Sequence, residues 1–214
     1  MLAINTAFMN ANLALKTQKR ESFRDIDSRS KHSENVLKTI DEMCQEANID
    51  ILDIETVGVV IGPGSFTGLR IGIAIAKALA CVKKDMKFVS VSSLELMAYI
   101  VAKQGLSNGN FVCVLNALSD LYFVAYFDKN GVKLQKERMI DENAFKSIKE
   151  PIFALKDDLE ETVFQYIEIS SEDLLSFVKE KSQKEEFTEI VELEPMYLRL
   201  SQAEDNLLKK SKKD

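Results

Sequence analysis

The segment Gly62-Pro63-Gly64-Ser65-Phe66-Thr67-Gly68-Leu69-Arg70 constrains the fold of this chain more than any other. It follows Thr56 to Ile61, a largely β-branched apolar run that reads as a buried strand, and it opens a helix predicted over 65–82. Glycines here permit torsions and close approaches that a Cβ forbids, Pro63 stiffens the turn, and Ser65 or Thr67 can cap the helix. This is not a Walker loop, because Arg70 stands where Lys-Ser/Thr is required, and the G-x-G-x-x-x-G spacing is one residue off the dinucleotide fingerprint. Two readings stay open. Gly62, Gly64, Ser65, Thr67 and Arg70 form an anion site at the helix start, or the turn serves packing alone.

The helix itself carries Gly68, Gly72, Ala76 and Ala80 at four-residue spacing, a ridge of small side chains to which another backbone can come close. Ile71, Ile75, Leu79 and Val82 make a second apolar face beside it, leaving Arg70, Lys77 and Lys84 as a narrow charged stripe. So wide an apolar arc predicts a second helix over it, from this chain or another, while complete burial within one subunit fits the periodicity equally well. The contact face is expected to comprise Gly68, Leu69, Gly72, Ile73, Ala76 and Ala80 with Val36, Ile40 and Met43 of the preceding helix.

A length of 214 residues suits one large domain or two small lobes. The net charge of −6 argues against autonomous nucleic-acid binding; only Lys209-Lys210-Ser211-Lys212-Lys213 could touch phosphate, and such a run more often is a solvated tail. No signal-type segment is evident, and the apolar stretch from Ile71 to Val82 is broken by Lys77 and too short for a bilayer, so a cytoplasmic protein without membrane attachment is expected. Cys44, Cys81 and Cys113 lack paired spacing and read as small buried hydrophobes.

Along the chain, strands are predicted over 2–6, 12–17 and 21–27, then a helix whose positions Val36, Leu37, Ile40, Met43, Cys44 and Ala47 keep a 3.6 period, with Ser33 as N-cap. The strand at 56–61, the helix at 65–82, a strand at 88–91 and a helix at 94–103 complete a βββαβαβα order. After the turn 105–110, strands at 111–115, 121–128 and 132–138, a helix from Glu142, a strand at 151–155 and a helix at 171–184 repeat that order at reduced length. This predicts two lobes, 1–104 and 105–214, on element order alone, and one undivided α/β domain remains the alternative.

The run GPGSFTGLRIGIAIAKALA from Gly62 to Ala80 resembles the TsaB (YeaZ) family. Supporting segments are LAINTA near the N-terminus, His32-Ser33-Glu34, Val91-Ser92-Ser93-Leu94 and Pro195-Met196-Tyr197-Leu198-Arg199; residues 1 to about 100 carry most of the resemblance. The resemblance implies an α/β, actin-like, ribonuclease H-like two-lobed fold. It further implies a non-catalytic partner and activator of a TsaD-like subunit in threonylcarbamoyladenosine formation at the tRNA adenosine next to the anticodon. A TsaE-like ATPase in a larger complex, a homodimer when alone, and contact with tRNA only through the complex belong to the same expectation, with ATP and metal placed on the catalytic partner.

Departures from catalytic relatives point the same way. Where those carry two metal-binding histidines, this chain has Ser93 and Met97, which are poor ligands for a divalent ion. His32 is its sole histidine, so a two-histidine site cannot be built, and at a helix start it reads as a local polar contact rather than a base for Ser65. Asn5 replaces the first-strand aspartate of actin-like ATPases, removing a charge that hydrated Mg²⁺ would use, and Asn116-Ala117-Leu118 replaces the family's Asp-Ala-Arg. The acidic pairs Asp157-Asp158, Glu160-Glu161 and Glu185-Glu186 read as solvated faces. Competing readings are a stand-alone actin-like ATPase or phosphotransferase, opposed by Asn5, a metalloprotease, opposed by the single histidine, and a purely structural dimer unrelated to tRNA. Neither a metal site nor a bound cofactor is expected on this chain.

Overall fold

In the computed structural model, residues 1–26, 32–156, 158–159 and 164–198 are described, residues 32–34 by their backbone alone. Two five-stranded mixed sheets share one topology. In the first, β1 (Leu2–Asn5), β2 (Ala11–Lys16) and β3 (Glu21–Ile26) form an antiparallel meander, and β4 (Thr56–Gly62) and β5 (Lys87–Ser92) add in parallel beside β1, giving the order β3-β2-β1-β4-β5. In the second, β6 (Phe111–Asn116), β7 (Leu121–Phe127) and β8 (Arg138–Asp141) make the meander, with β9 (Ile152–Leu155) and β10 (Phe164–Ile167) parallel beside β6. The repeated order anticipated from the sequence is therefore a repeated α/β topology.

Helices occupy three layers. The outer face of the first sheet, with Leu2, Ile4, Leu13, Leu15, Val57 and Val59, is covered by α1 (His32–Ala47) and α2 (Phe66–Val82) through Val36, Ile40, Met43, Ile73, Ala76 and Leu79. Between the sheets lie α3 (Ser93–Lys103) and α5 (Ser171–Gln183), whose Leu94, Met97, Val101, Leu174 and Val178 join Ala3, Val89 and Val91 of the first sheet to Phe111, Leu115, Phe127 and Phe153 of the second. The short α4 (Glu142–Lys146) closes the far side of the second sheet with Phe145, stacked on Tyr122 at 4.2 Å. Gly58 of β4 is required because a side chain there would overlap Val178 of α5.

Two element expectations are corrected. The third strand of the second sheet lies at Arg138–Asp141 rather than 132–138: the Asp128 carboxylate accepts from the amides of Asn130 and Val132, Gly131 turns at φ +78°, and 128–137 becomes an excursion tied to the sheet by a single bridge, Phe127 to Lys133. The strand β10, not anticipated, follows the acidic stretch before Phe164 and shows only two inward residues, Phe164 and Ile167. Among the cysteines, Cys44 and Cys113 are buried as expected, whereas Cys81 is exposed on the outer side of α2.

Candidate functional site

The glycine loop is docked onto the turn that follows β1. The Ser65 amide donates to the Ala7 carbonyl at 2.8 Å, the Thr6 hydroxyl donates to the Gly68 carbonyl at 2.7 Å, and Ser65 Oγ caps α2 by accepting from the Gly68 amide at 3.3 Å. A Cβ on Gly68 would overlap the Thr6 carbonyl oxygen, and one on Gly72 would lie 2.7 Å from the Thr6 hydroxyl. The small-residue ridge therefore faces this chain's own sheet. That corrects the expected contact face: Gly72, Ile73 and Ala76 are buried against β1 and β4, Leu69 is buried with the inner core beside the cleft, Val36, Ile40 and Met43 are buried under α1, and Gly68 and Ala80 are half-buried. Periodicity showed two apolar faces on α2, and the face with the smaller side chains is the one the sheet needs for close approach. The helix expected over α2 is in part α1 of the same chain.

The outward side of α2 consists of Phe66, Thr67, Arg70, Ala74, Ala78, Cys81 and Val82, with Ile71 half-buried. No acidic residue occurs anywhere in α2. At its first turn Arg70 lies over the Phe66 ring, 3.9 Å from the centroid, and its Nε donates to the Tyr197 hydroxyl at 2.8 Å; Tyr197 stacks on Phe66 at 4.9 Å. The segment carrying Tyr197 is held by the Met196 amide donating to the Ile61 carbonyl at 2.7 Å. The role of Tyr197 was not legible, since nothing in sequence spacing links position 197 to position 70.

Beside this cluster, a cleft of about 1170 Å³ separates the two sheets. Its walls include Phe8, Met9, Gly64, Ser65, Leu118, Leu155, Ile169 and Leu198. The ends of β1 and β6 repeat one another, Asn116 lining the cleft and Asn5 lying fully buried behind Ala7 and Asn12, which line it. Asn5 Oδ1 accepts from the Ala7 amide at 3.0 Å and Asn116 Oδ1 accepts from the Leu118 amide at 2.8 Å, two residues on in both cases. The amide nitrogens are committed as well, Asn5 Nδ2 to Asn12 Oδ1 at 2.7 Å and Asn116 Nδ2 to the Asp158 carbonyl at 3.2 Å. Asn12 continues the chain to Asp25, which also accepts from the Ser171 hydroxyl. Burial pushes the Asp158 carboxyl above its ordinary value, and the Asn116 amide donating to it offsets that only in part.

These residues do not fit a magnesium nucleotide. Both strand-end positions present neutral amides already engaged through oxygen and nitrogen, so neither supplies the carboxylate that a hydrated magnesium ion prefers. Ser93 and Met97 are fully buried and belong to the interior, not to the cleft. The side chain of His32 lies outside the described residues. Among the described residues no group of three or more His, Cys, Asp or Glu could hold a metal ion, and no helix is long and apolar enough to cross a membrane.

The family model for TsaD, tRNA N6-adenosine threonylcarbamoyltransferase, matches residues 26–193. The chain belongs to the TsaD family, on its TsaB (YeaZ) branch. Among relatives, the tRNA threonylcarbamoyladenosine biosynthesis protein TsaB of Escherichia coli is 27% identical over 62% of this chain and 57% of its own length. TsaB of Bacillus subtilis is 32% identical over 46% of this chain and 43% of its own. The chain thus spans roughly half the length of the relatives it matches. YeaZ from Pseudomonas aeruginosa superposes with a TM-score of 0.74 at 20% identity, covering 92% of this chain and 98% of that one, a likeness of fold.

Proposed function

We propose that this TsaB-branch chain takes part in tRNA threonylcarbamoyladenosine biosynthesis as a non-catalytic subunit that binds and activates a TsaD-like enzyme. The observation that carries the reading is the outward side of α2, where Thr67, Ala74, Ala78, Cys81 and Val82 leave a low, largely apolar helix surface that no element among the described residues covers. Low relief there suits a helix of a second protein. The neutral amides at Asn5 and Asn116, each engaged in its own turn where a metal-binding carboxylate would be needed, support the absence of chemistry on this chain. In this reading the contact face is the outward side of α2 with the exposed side of α1, not the ridge of Gly68, Gly72 and Ala76. Self-association uses the same face when the partner is lacking, a TsaE-like ATPase joins the larger complex, and tRNA is met only through that complex. The lobes divide near 104/105, and the protein works in the cytoplasm.

The test is sedimentation of the purified chain alone and mixed with the TsaD-like protein of its own organism, followed by tRNA modification with ATP, threonine and bicarbonate. A mixed complex whose activity requires this chain is expected. Equal activity without it, or Mg-ATP turnover by the chain alone, overturns the reading.

A further inference from the structure

We propose that Arg70, held between Phe66 and Tyr197, is the charged anchor of the partner surface and receives a carboxylate of the TsaD-like protein. The inference rests on the partner reading above. It starts from an exposed side chain held on two sides: the guanidinium lies over the Phe66 ring, and its Nε donates to the Tyr197 hydroxyl. Among the described residues no carboxylate pairs with Arg70, whereas Arg20 and Arg24 both meet Glu46. A guanidinium offers a planar fork that matches a carboxylate, and stacking removes in advance the rotamer freedom that binding would otherwise cost.

The surroundings favour a protein over a small anion. Phe66 and Tyr197 remain 39% and 45% exposed around the cation, so an occupant must cover two aromatic faces as well as satisfy a charge. Arginine ringed by aromatic residues is the composition of an interface hot spot, where apolar surroundings exclude water from the ion pair. Arg70 continues onto Ala74 and Ala78 one and two turns along, and α2 supplies no negative charge. The complementary element is a helix with small or apolar residues along its length and an Asp or Glu at the end that meets Arg70. Tyr197 is a positioning residue in this arrangement, on a segment that the Met196 amide ties to the Ile61 carbonyl at the end of β4.

The experiment measures dissociation constants by calorimetry for the full chain and its TsaD-like protein, with Arg70→Ala, Arg70→Lys and Tyr197→Phe. Urea unfolding of each variant alone controls for folding. Arg70→Ala should weaken binding about 30-fold or more, as loss of a hot-spot arginine does. Arg70→Lys keeps the charge without the fork and should still weaken binding about tenfold, and Tyr197→Phe about threefold. If the wild-type chain does not bind, the partner reading fails and this inference with it. If the wild type binds and both Arg70 variants bind equally well, only this inference is overturned. Unchanged partner affinity with reduced tRNA retention or reduced self-association would place a phosphate or a second copy at Arg70, and likewise overturn it.

Discussion

Gly68 and Gly72 lie one helical turn apart on the buried side of α2, and their neighbours differ in kind. A methyl on Gly68 runs into the carbonyl oxygen of Thr6, a backbone atom of the turn after β1, whereas on Gly72 it meets side-chain atoms, the Thr6 hydroxyl at 2.7 Å, itself bonded to the Gly68 carbonyl, and a Val59 methyl at 3.2 Å. Gly68→Ala should therefore cost about 1–3 kcal/mol in urea unfolding, as overpacking does. Gly72→Ala should also destabilise but by less, about 1 kcal/mol, because side-chain atoms yield more than a backbone carbonyl and the helix propensity of alanine offsets part of the strain. Equal costs would mean that α2 moves as a rigid body away from the sheet. Asp158 supports a prediction of opposite sign. Its folded-state carboxyl is raised by burial, so ionisation is harder in the fold than in the unfolded chain, and its contribution to stability falls as pH rises from the ordinary aspartate range through that raised value. Asp158→Asn keeps an acceptor for the Asn116 amide and removes the charge. It should be more stable than wild type at neutral pH by about 0.5–1 kcal/mol, a gain that disappears in acid where Asp158 is protonated. The spacing of these glycines was legible in the sequence, but their neighbours were not, because periodicity relates residues on one helix and says nothing of which face meets the sheet.

At the scale of elements, α2 and the 128–137 excursion show where pattern reading succeeds and stops. The strand-loop-helix at 56–82 was legible because β-branched residues, three glycines and a helical repeat agree. The excursion was not, because Val132 to Arg138 offers enough apolar and long side chains to pass for a strand, while the Asp128 turn and Gly131 break the ladder. Besides the bridge between Phe127 and Lys133, with the Leu134 amide donating to the Tyr126 carbonyl at 2.7 Å, ion pairs hold the excursion. Lys133 Nζ lies 2.5 Å from Glu137 and 2.7 Å from Glu95 of α3, and Glu95 also meets Lys181 of α5 at 3.9 Å. Burial alone would raise the Glu137 carboxyl, but the hydrogen bond from Lys133, its own backbone amide and the Ser92 hydroxyl outweigh it and hold the carboxyl below its ordinary range. For Lys133 burial acts to lower the ammonium value, and Glu137 and Glu95 together raise it. A lowered carboxyl contributes stability above its unfolded value and loses it as pH falls through the folded one; a raised ammonium contributes below its unfolded value and loses it as pH rises. The pair therefore supports the fold across the neutral range and fails at both ends. Glu137→Gln should lower stability by about 1–2 kcal/mol at pH 7 and flatten the acid limb of a plot of unfolding free energy against pH. An unchanged acid limb would show that the backbone bonds to β7 and the packing of Gly131 on α3 suffice.

The whole molecule is a duplication whose halves exchange coverage. Each sheet has the same strand order, so the repeat legible from element order is real at the level of topology, although the second half lacks a described helix between β9 and β10. Which helix covers which sheet was not legible, since that depends on the chain's path between the lobes. In the fold α5, from the second half, packs on β1, β2 and β3 of the first sheet, and its Val178 fills the space left by Gly58. The Ser171 hydroxyl at the start of α5 donates to Asp25 at 2.8 Å, and the Ile169 carbonyl accepts from Asn12. In return α3, from the first half, packs on β6 and β7. A fragment of residues 1–104 would thus expose the inner face of its sheet, Ala3, Ala14, Val60 and Val89, together with the apolar side of α3. Apolar burial is the main favourable term in folding, and a lobe stripped of one covering layer keeps its full loss of chain entropy. Residues 1–104 expressed alone should show no cooperative urea transition, and mixing with residues 105–214 should restore one. Cooperative unfolding of the first fragment by itself would mean that α1, α2 and the outer core suffice. The interlobe layer would then be a surface two stable lobes can open and close, and the cleft above Asn5 and Asn116 would vary in width.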